Sequence, residues 1–375
     1  MAAHGIDVHL IASLDNQSRA TFAVTEGVPS HDVPMTRAMT PLTDTVALWR
    51  LYRLLGQLAP DIVHAGTPKG GFLGIVAAAA RGIPVRIYHV HGIRAMTERG
   101  WRRRVLLATE RLTCRLSTRV LCVSASARQT MLDEKLCPPQ KLVVLGAGSC
   151  NGVDGRGQFD PARFDGGTRA GLRADLNIPG SVPVIGFVGR LVRDKGIAEL
   201  ASAWHRLATE FPTLHLLLVG CLEEEDAGAA PVVAALRAHP RVRFIPWVED
   251  PAPLYAVMDV VTLPSYREGL PTVLLEAAAM GLPAVASRVT GCVDAIVDGV
   301  TGTLVPPREG TPLAEAIAAY LRAPALRERH GAAGREHVLR AFVPEDVWRR
   351  VLALYRSLLS AEGGAAVVEG GSSTL

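Results

Sequence analysis

Short apolar runs that do not alternate with polar residues recur along the chain, and they constrain the fold more than any other feature. Examples are "VLCV" at 120–123, "VIGFV" at 184–188, "LHLLLV" at 214–219 and "VVTL" at 260–263. A strand with one wet face alternates, whereas a strand covered on both faces does not. Runs of this kind are predicted as strands at 8–12, 61–65, 85–90, 120–123 and 142–145, then at 184–188, 214–219, 242–245, 260–263, 284–286 and 302–305. Stretches with helical period fit between them, at 45–57, 70–81, 102–115, 197–210, 231–238, 272–280 and 313–322. Alternating strands and helices mean parallel sheets flanked by helices.

The alternation breaks at 151–181, which is rich in Gly, Asp and Arg. With 375 residues, at roughly 150 per domain, the prediction is two doubly wound, Rossmann-like α/β domains facing a cleft. The expected boundaries are 1–155, a linker at 156–180, 181–343, a helix at 344–360 packing back toward the first domain, and a disordered tail at 361–375. The opening "AAHGIDVHLIAS" reads as the last turn of a helix, a cap at Gly5, then a strand. The expectation is a first domain lacking its opening strand–helix unit.

Net charge is +4, too small to argue for nucleic acid. It is unevenly placed: eight Arg stand against two Glu between Arg94 and Arg119. In 102–115, Val105, Ala108 and Leu112 recur at helical spacing with Arg on the other face, and Trp101 marks the start. A basic amphipathic helix of this kind suits an anionic lipid surface, or a solvated helix face. The six cysteines include no CxxC pair, which fits a reducing compartment and offers no zinc site. No apolar run is long enough to span a bilayer. The expected location is cytoplasmic, peripheral at the inner face of the membrane.

"SYREGLPTVLLEAAAMGLP" at 265–283 places Glu276 inside an apolar helix. An ionised carboxylate there is costly unless something pairs with it. A ribose diol would satisfy it, and so would a core arginine. Gly269 and Leu270 stand at the N-terminus of that helix, where free N–H groups and the dipole favour an anion. Glu268 would face the other end of the same ligand. "VIGFVGRLVRDKG" at 184–196 brings Gly189, Arg190 and Lys195 to a strand end and a helix start, a cradle for a diphosphate or a pair of solvated cations. Lys69 and Gly70 open another helix, as an acceptor-phosphate site or as an ordinary βα turn. His89 and His91 share a strand face, but no further metal ligand is evident.

Gly189-Arg190, Lys195 and the Glu268/Glu276 pair, in this order and spacing, resemble the retaining glycosyltransferases of family 4, which have the GT-B fold. "DPAPLYAVMDVVTLPSYREGLPTVLLEAAAMGLPAVAS" resembles that family over its whole length. "PDIVHAGTPKGGFLG", "PVRIYHVHG", "RVLCVSAS" and "GSCNGVD" are similar to members that extend lipid-linked saccharides for surface polysaccharides. The resemblance implies that Glu268 contacts the donor sugar, Glu276 the ribose, Arg190 and Lys195 the diphosphate, and the amides of Gly269 and Leu270 a phosphate or the sugar. It implies that His91 stands near the reacting sugar. It further implies a nucleotide-sugar donor, UDP-linked in most of that subgroup, a lipid-diphosphate-linked acceptor, and no metal or other cofactor. Pro246 stands where members of the family carry glycine.

Three other readings share parts of this pattern. A GT-B-type sugar-nucleotide epimerase would use the same ligand without an acceptor. A nucleotide-sugar-binding protein would bind without turnover. A glycosyltransferase acting on a small secondary metabolite would differ in its acceptor. A dinucleotide dehydrogenase needs GxGxxG after the first strand, and the near match "GAGSCNG" at 146–152 lacks the third glycine at the right place.

Overall fold

The computed structural model describes residues 4–13, 27–36, 40–149, 151–223 and 228–369, with side chains to Ala361. The chain divides into two compact units. The first comprises the residues up to Val123, Ala127–Leu145 and the chain from Trp348 on; the second comprises Ser124–Ser126 and Gly146–Val347.

In chain order the elements begin with β1 (Leu10–Ala12), β2 (Ser30–Asp32), α1 (Pro41–Leu58), β3 (Ile62–Gly66), α2 (Pro68–Ala80), β4 (Val85–Val90), α3 (Gly100–Leu116), β5 (Arg119–Cys122), α4 (Ala125–Asp133) and β6 (Leu142–Val143). There follow α5 (Gly166–Asp175), β7 (Val184–Val188), α6 (Ile197–Glu210), β8 (His215–Val219), α7 (Ala230–Arg237), β9 (Val242–Ile245), α8 (Ala252–Ala256) and β10 (Val260–Leu263). The last are α9 (Thr272–Ala279), β11 (Ala284–Ser287), α10 (Cys292–Ala295), β12 (Gly302–Val305), α11 (Gly310–Arg322), α12 (Pro324–Ala341) and α13 (Pro344–Glu369).

The second unit holds a parallel sheet in the order β12-β11-β10-β7-β8-β9. Every residue of β7, β8, β10 and β11 is buried, which is why those runs carry no polar alternation. The amphipathic face of α6 supplies Leu200, Ala203, Trp204 and Leu207 to the core. The segment 156–180, read from sequence as a linker, contains α5, capped by the Asp165 side chain on the Thr168 N–H.

In the first unit β3-β4-β5-β6 form one parallel sheet, and β1-β2 form a separate parallel pair. In the second unit the first strand, β7, lies at the centre of its sheet. Prolines open α1 and α2, and the Thr67 side chain caps α2 at the Gly70 N–H. The apolar faces of these helices meet through Leu51, Leu55, Leu73 and Ala77. From Trp348 on, α13 belongs to this unit, where Leu358 joins Val85, Ile87 and Leu121. The helix continues beyond Ser360 to Glu369. Among the described residues no helix is long and apolar enough to cross a membrane.

A carboxyl is buried in the first unit's core. Glu110 on α3 accepts from the Tyr88 hydroxyl at 2.9 Å, and burial pushes its pKa up to about 7. A raised folded-state pKa adds stability that is complete below the unfolded value and is lost as pH rises through the folded one. Relative to wild type, Glu110→Gln should therefore gain stability from pH 4.5 to 7, by up to about 3 kcal/mol. Denaturant melts of the two proteins across that range read the difference; a constant offset would refute the burial argument.

Candidate functional site

Strand β7 leads through α6 to β8 on one side, while β10 pairs with β7 on the other. The loops leaving the carboxyl ends of β7 and β10 therefore diverge. In open α/β sheets this switch of winding direction leaves a crevice where ligands bind. All the residues predicted for donor binding fall here. Gly189, Arg190 and Lys195 lie between β7 and α6. Glu268, Gly269 and Leu270 lie between β10 and α9, and Glu276 lies on α9.

The two loops are pressed together, and glycine makes this possible. Gly196 has φ +72°, and a β-carbon there would lie 2.0 Å from the Pro264 carbonyl oxygen. The Tyr266 N–H donates to the Asp194 carbonyl at 2.8 Å, and Arg267 Nε stands 3.1 Å from Asp194 Oδ2. The Tyr266 hydroxyl donates to the Glu199 carboxylate at 2.8 Å, with the Arg308 guanidinium 4.2 Å above its ring. Across this junction Lys195 Nζ lies 2.5 Å from Glu268 Oε1, both side chains largely shielded from solvent. Arg190 turns to Glu223 at 2.8 Å and is half exposed. The structure thus joins Lys195 to Glu268 and gives Arg190 a different acidic partner.

Glu276 owes its tolerance in an apolar helix to a phenol. Its neighbours Leu274, Leu275, Ala277 and Ala278 are buried, and the Tyr255 hydroxyl donates to Glu276 Oε2 at 2.8 Å. Burial still raises the Glu276 pKa, against the hydrogen bonds from Tyr255 and Thr272, which lower it. Tyr255 is fully buried on α8, 21 residues away in sequence. The core arginine considered from sequence is not the partner found.

The start of α9 is fixed from elsewhere in the second unit. Ser124 Oγ donates to the Gly269 carbonyl at 2.7 Å, and the Gly291 N–H donates to Ser126 Oγ at 2.8 Å. Ser126 in turn bonds Asp294 through its amide, at 3.1 Å, and through its hydroxyl. Pro271 precedes α9 and gives it no side-chain cap. Sequence reading missed Tyr255, Tyr266, Ser124, Ser126 and Asp294. Each acts across a long sequence separation, which no local pattern reveals.

The remaining predicted residues lie in the first unit. Lys69 pairs with Asp44 at 2.6 Å. Gly70 donates its amide to Thr67 Oγ1 at 3.3 Å, as an ordinary helix start does. His91 follows β4, its ring 4.3 Å from that of His89. Among the described residues no group of three or more His, Cys, Asp or Glu side chains is arranged to hold a metal ion.

Two family models match the chain: a glycosyl transferase 4-like domain over residues 1–148 and glycosyl transferases group 1 over 182–323. The chain is 32% identical over 359 residues to the capsular polysaccharide biosynthesis glycosyltransferase CapM of Staphylococcus aureus, covering 96% of this chain and 92% of that protein. It is 28% identical over 281 residues to the UDP-Gal:alpha-D-GlcNAc-diphosphoundecaprenol alpha-1,3-galactosyltransferase of Escherichia coli, covering 74% and 68%. Among solved structures, Anabaena Alr3699/HepE in complex with UDP and glucose aligns with a TM-score of 0.77 at 20% identity, over 93% of this chain and 91% of that one.

Tyr255→Phe removes the phenolic donor and leaves Glu276 in the same apolar setting. The variant should lose about 1–3 kcal/mol of stability at neutral pH. The loss should shrink on acidification, where the carboxyl is neutral. Chemical denaturation at two pH values tests this; equal losses at both would contradict it.

Proposed function

The chain belongs to the GT-B-fold glycosyltransferases of the group 1 and 4-like families, enzymes that transfer a sugar from a nucleotide-sugar. On that premise we propose that it moves a hexose or N-acetylhexosamine from a UDP-sugar to a lipid-diphosphate-linked saccharide, with retention of anomeric configuration. The observation that carries the donor reading is the group at the switch point: a phenol-held Glu276, the Lys195–Glu268 pair and the uncapped start of α9.

In this reading Glu276 accepts from the two ribose hydroxyls. Lys195 leaves Glu268 for the diphosphate, joined by Arg190, and Glu268 turns to the donor-sugar hydroxyls. The amides of Gly269 and Leu270 take a phosphate or sugar oxygen. The bond between the anomeric carbon and the phosphate oxygen breaks as the acceptor oxygen attacks from the same face. The acceptor proton passes to the departing phosphate, giving the nucleoside diphosphate and the extended acceptor. Two cations and helix-terminal amides stabilise the charge on the leaving group. His91 is assigned to the acceptor side of the reaction, with Lys69 and Gly70. Lys69 must then exchange Asp44 for a phosphate.

The first unit supports a membrane-bound acceptor. On α3, Trp101, Val105 and Leu112 are 65%, 39% and 43% exposed, while Leu107, Glu110, Thr113 and Cys114 face the core. The apolar stripe read from sequence is therefore turned outward, flanked by exposed Arg102, Arg104, Arg111 and Arg115. Such a face suits an anionic bilayer and a peripheral place at the inner surface of the cytoplasmic membrane.

The test is nucleoside diphosphate release from a panel of UDP- and GDP-sugars, with and without a membrane-lipid extract. The reading predicts release that needs the extract, with Lys195→Ala about 100-fold slower or worse and Glu268→Ala similarly impaired. Release without any acceptor would favour the epimerase reading or simple hydrolysis. Binding without release would leave a nucleotide-sugar-binding protein. In flotation with anionic vesicles at low salt, the wild type should bind and a Trp101→Ala/Arg102→Ala/Arg104→Ala variant should not. Equal behaviour would remove the membrane assignment while leaving the donor reading intact.

A further inference from the structure

Three histidines and a tyrosine form a connected set in the first unit. His64 lies on β3 and His89 on the neighbouring β4, where His89 is in register with Gly66. Tyr355 reaches them from α13. Its hydroxyl is 2.5 Å from His64 Nδ1, and the two rings meet edge to face at 5.8 Å and 81°. His64 Nε2 is 3.1 Å from His89 Nδ1. The His89 side chain is 7% exposed, and its Nε2 is buried without a hydrogen-bond partner. The ring of His91 rests 4.3 Å from that of His89, tilted by 38°. His91 also crowds Gly66, where a β-carbon would lie 2.8 Å from its Nε2.

The protons along this line are not independent. A neutral imidazole has one N–H donor and one bare nitrogen, so each contact needs a single shared proton. Burial keeps the imidazoles neutral, pushing His64 down to about 4 and His89 to about 2, and it pushes the phenol up to about 12. If Tyr355 donates to His64 Nδ1, His64 carries its proton on Nε2 and donates to His89 Nδ1. His89 then carries its proton on Nε2. Each order leaves one proton without an acceptor among the described residues: the first strands the His89 Nε2–H, the reverse the phenolic O–H. In either order the contacts tie both imidazoles to the same tautomer.

We propose that Tyr355, His64 and His89 are positioning residues for His91: the phenol fixes the tautomers of two buried imidazoles and so locks the ring against which His91 rests. The proposal rests on the reading of His91 as an acceptor-side residue. It gives the C-terminal helix a part in that site through one hydroxyl. None of the three positioning residues needs to touch substrate.

The test uses the full chain labelled with 15N-histidine and the Tyr355→Phe variant, which keeps the edge-to-face ring. Long-range 1H–15N spectra should show His64 and His89 in one shared tautomer, both Nε2–H or both Nδ1–H, in the wild type and as mixtures in the variant. Turnover by Tyr355→Phe should fall about three- to tenfold with donor KM unchanged. The same substitution placed on His91→Ala should produce no further fall. Unchanged tautomers in Tyr355→Phe, or an equal fall in the His91→Ala background, would overturn the positioning role. Wild-type turnover by His91→Ala would instead overturn the reading of His91 itself, and the two failures are read from different spectra and rates.

Discussion

A carboxylate kept among apolar neighbours by one phenolic hydroxyl is the constraint on which the second unit's chemistry depends. Glu276 has one oxygen committed to Tyr255, and burial raises its pKa. Such a group lowers its energy when further donors arrive, which is the basis of the proposal that it receives a ligand rich in hydroxyls. Its position follows from topology. β7 and β10 are adjacent and parallel, but the connections leaving their carboxyl ends run to opposite sides, the kind of switch point where open α/β sheets take ligands. The close approach of Gly196 to Pro264 and the Lys195–Glu268 pair then fix the two loops against each other.

The same device recurs through both units. Five of the six tyrosines place their hydroxyl on an ionisable side chain: Tyr88 on Glu110, Tyr255 on Glu276, Tyr266 on Glu199, Tyr320 on His330 and Tyr355 on His64. A phenol brings a large apolar ring into the core and one polar atom at its tip. It can therefore satisfy a buried carboxylate or imidazole without adding a second charge, which an arginine would do. This explains how a chain with few aromatics keeps ionisable groups inside both units.

Much of the second unit was legible in sequence because its strands are buried on both faces. β7, β9, β10 and β12 coincide with the runs read from apolar patterning. The short polar strand Ser30–Asp32 carries no such signal and went unread, as did α4 and α5, whose cores are small. The motif residues at the switch point were visible because each is an exception to its surroundings: a charge in an apolar run, or a glycine at a strand end. Their partners were not visible. Tyr255 looks like any core aromatic in "LYAVMDVV", and Ser124, Ser126 and Asp294 look like loop residues. The outward turn of Trp101, Val105 and Leu112 was open in sequence only as one of two readings, because an amphipathic pattern does not say which face meets the core.

The most direct measurement is the affinity of the full chain for UDP and for its 2′,3′-dideoxy analogue, by calorimetry at neutral pH, on wild type and Glu276→Gln. Charge-assisted hydrogen bonds from the ribose diol to Glu276 predict that the wild type loses about tenfold or more in affinity for the analogue. They also predict that Glu276→Gln discriminates much less between the two. Equal affinity of the wild type for both nucleotides would mean that the carboxylate held by Tyr255 does not receive the ribose, and the account of the site would fail with it.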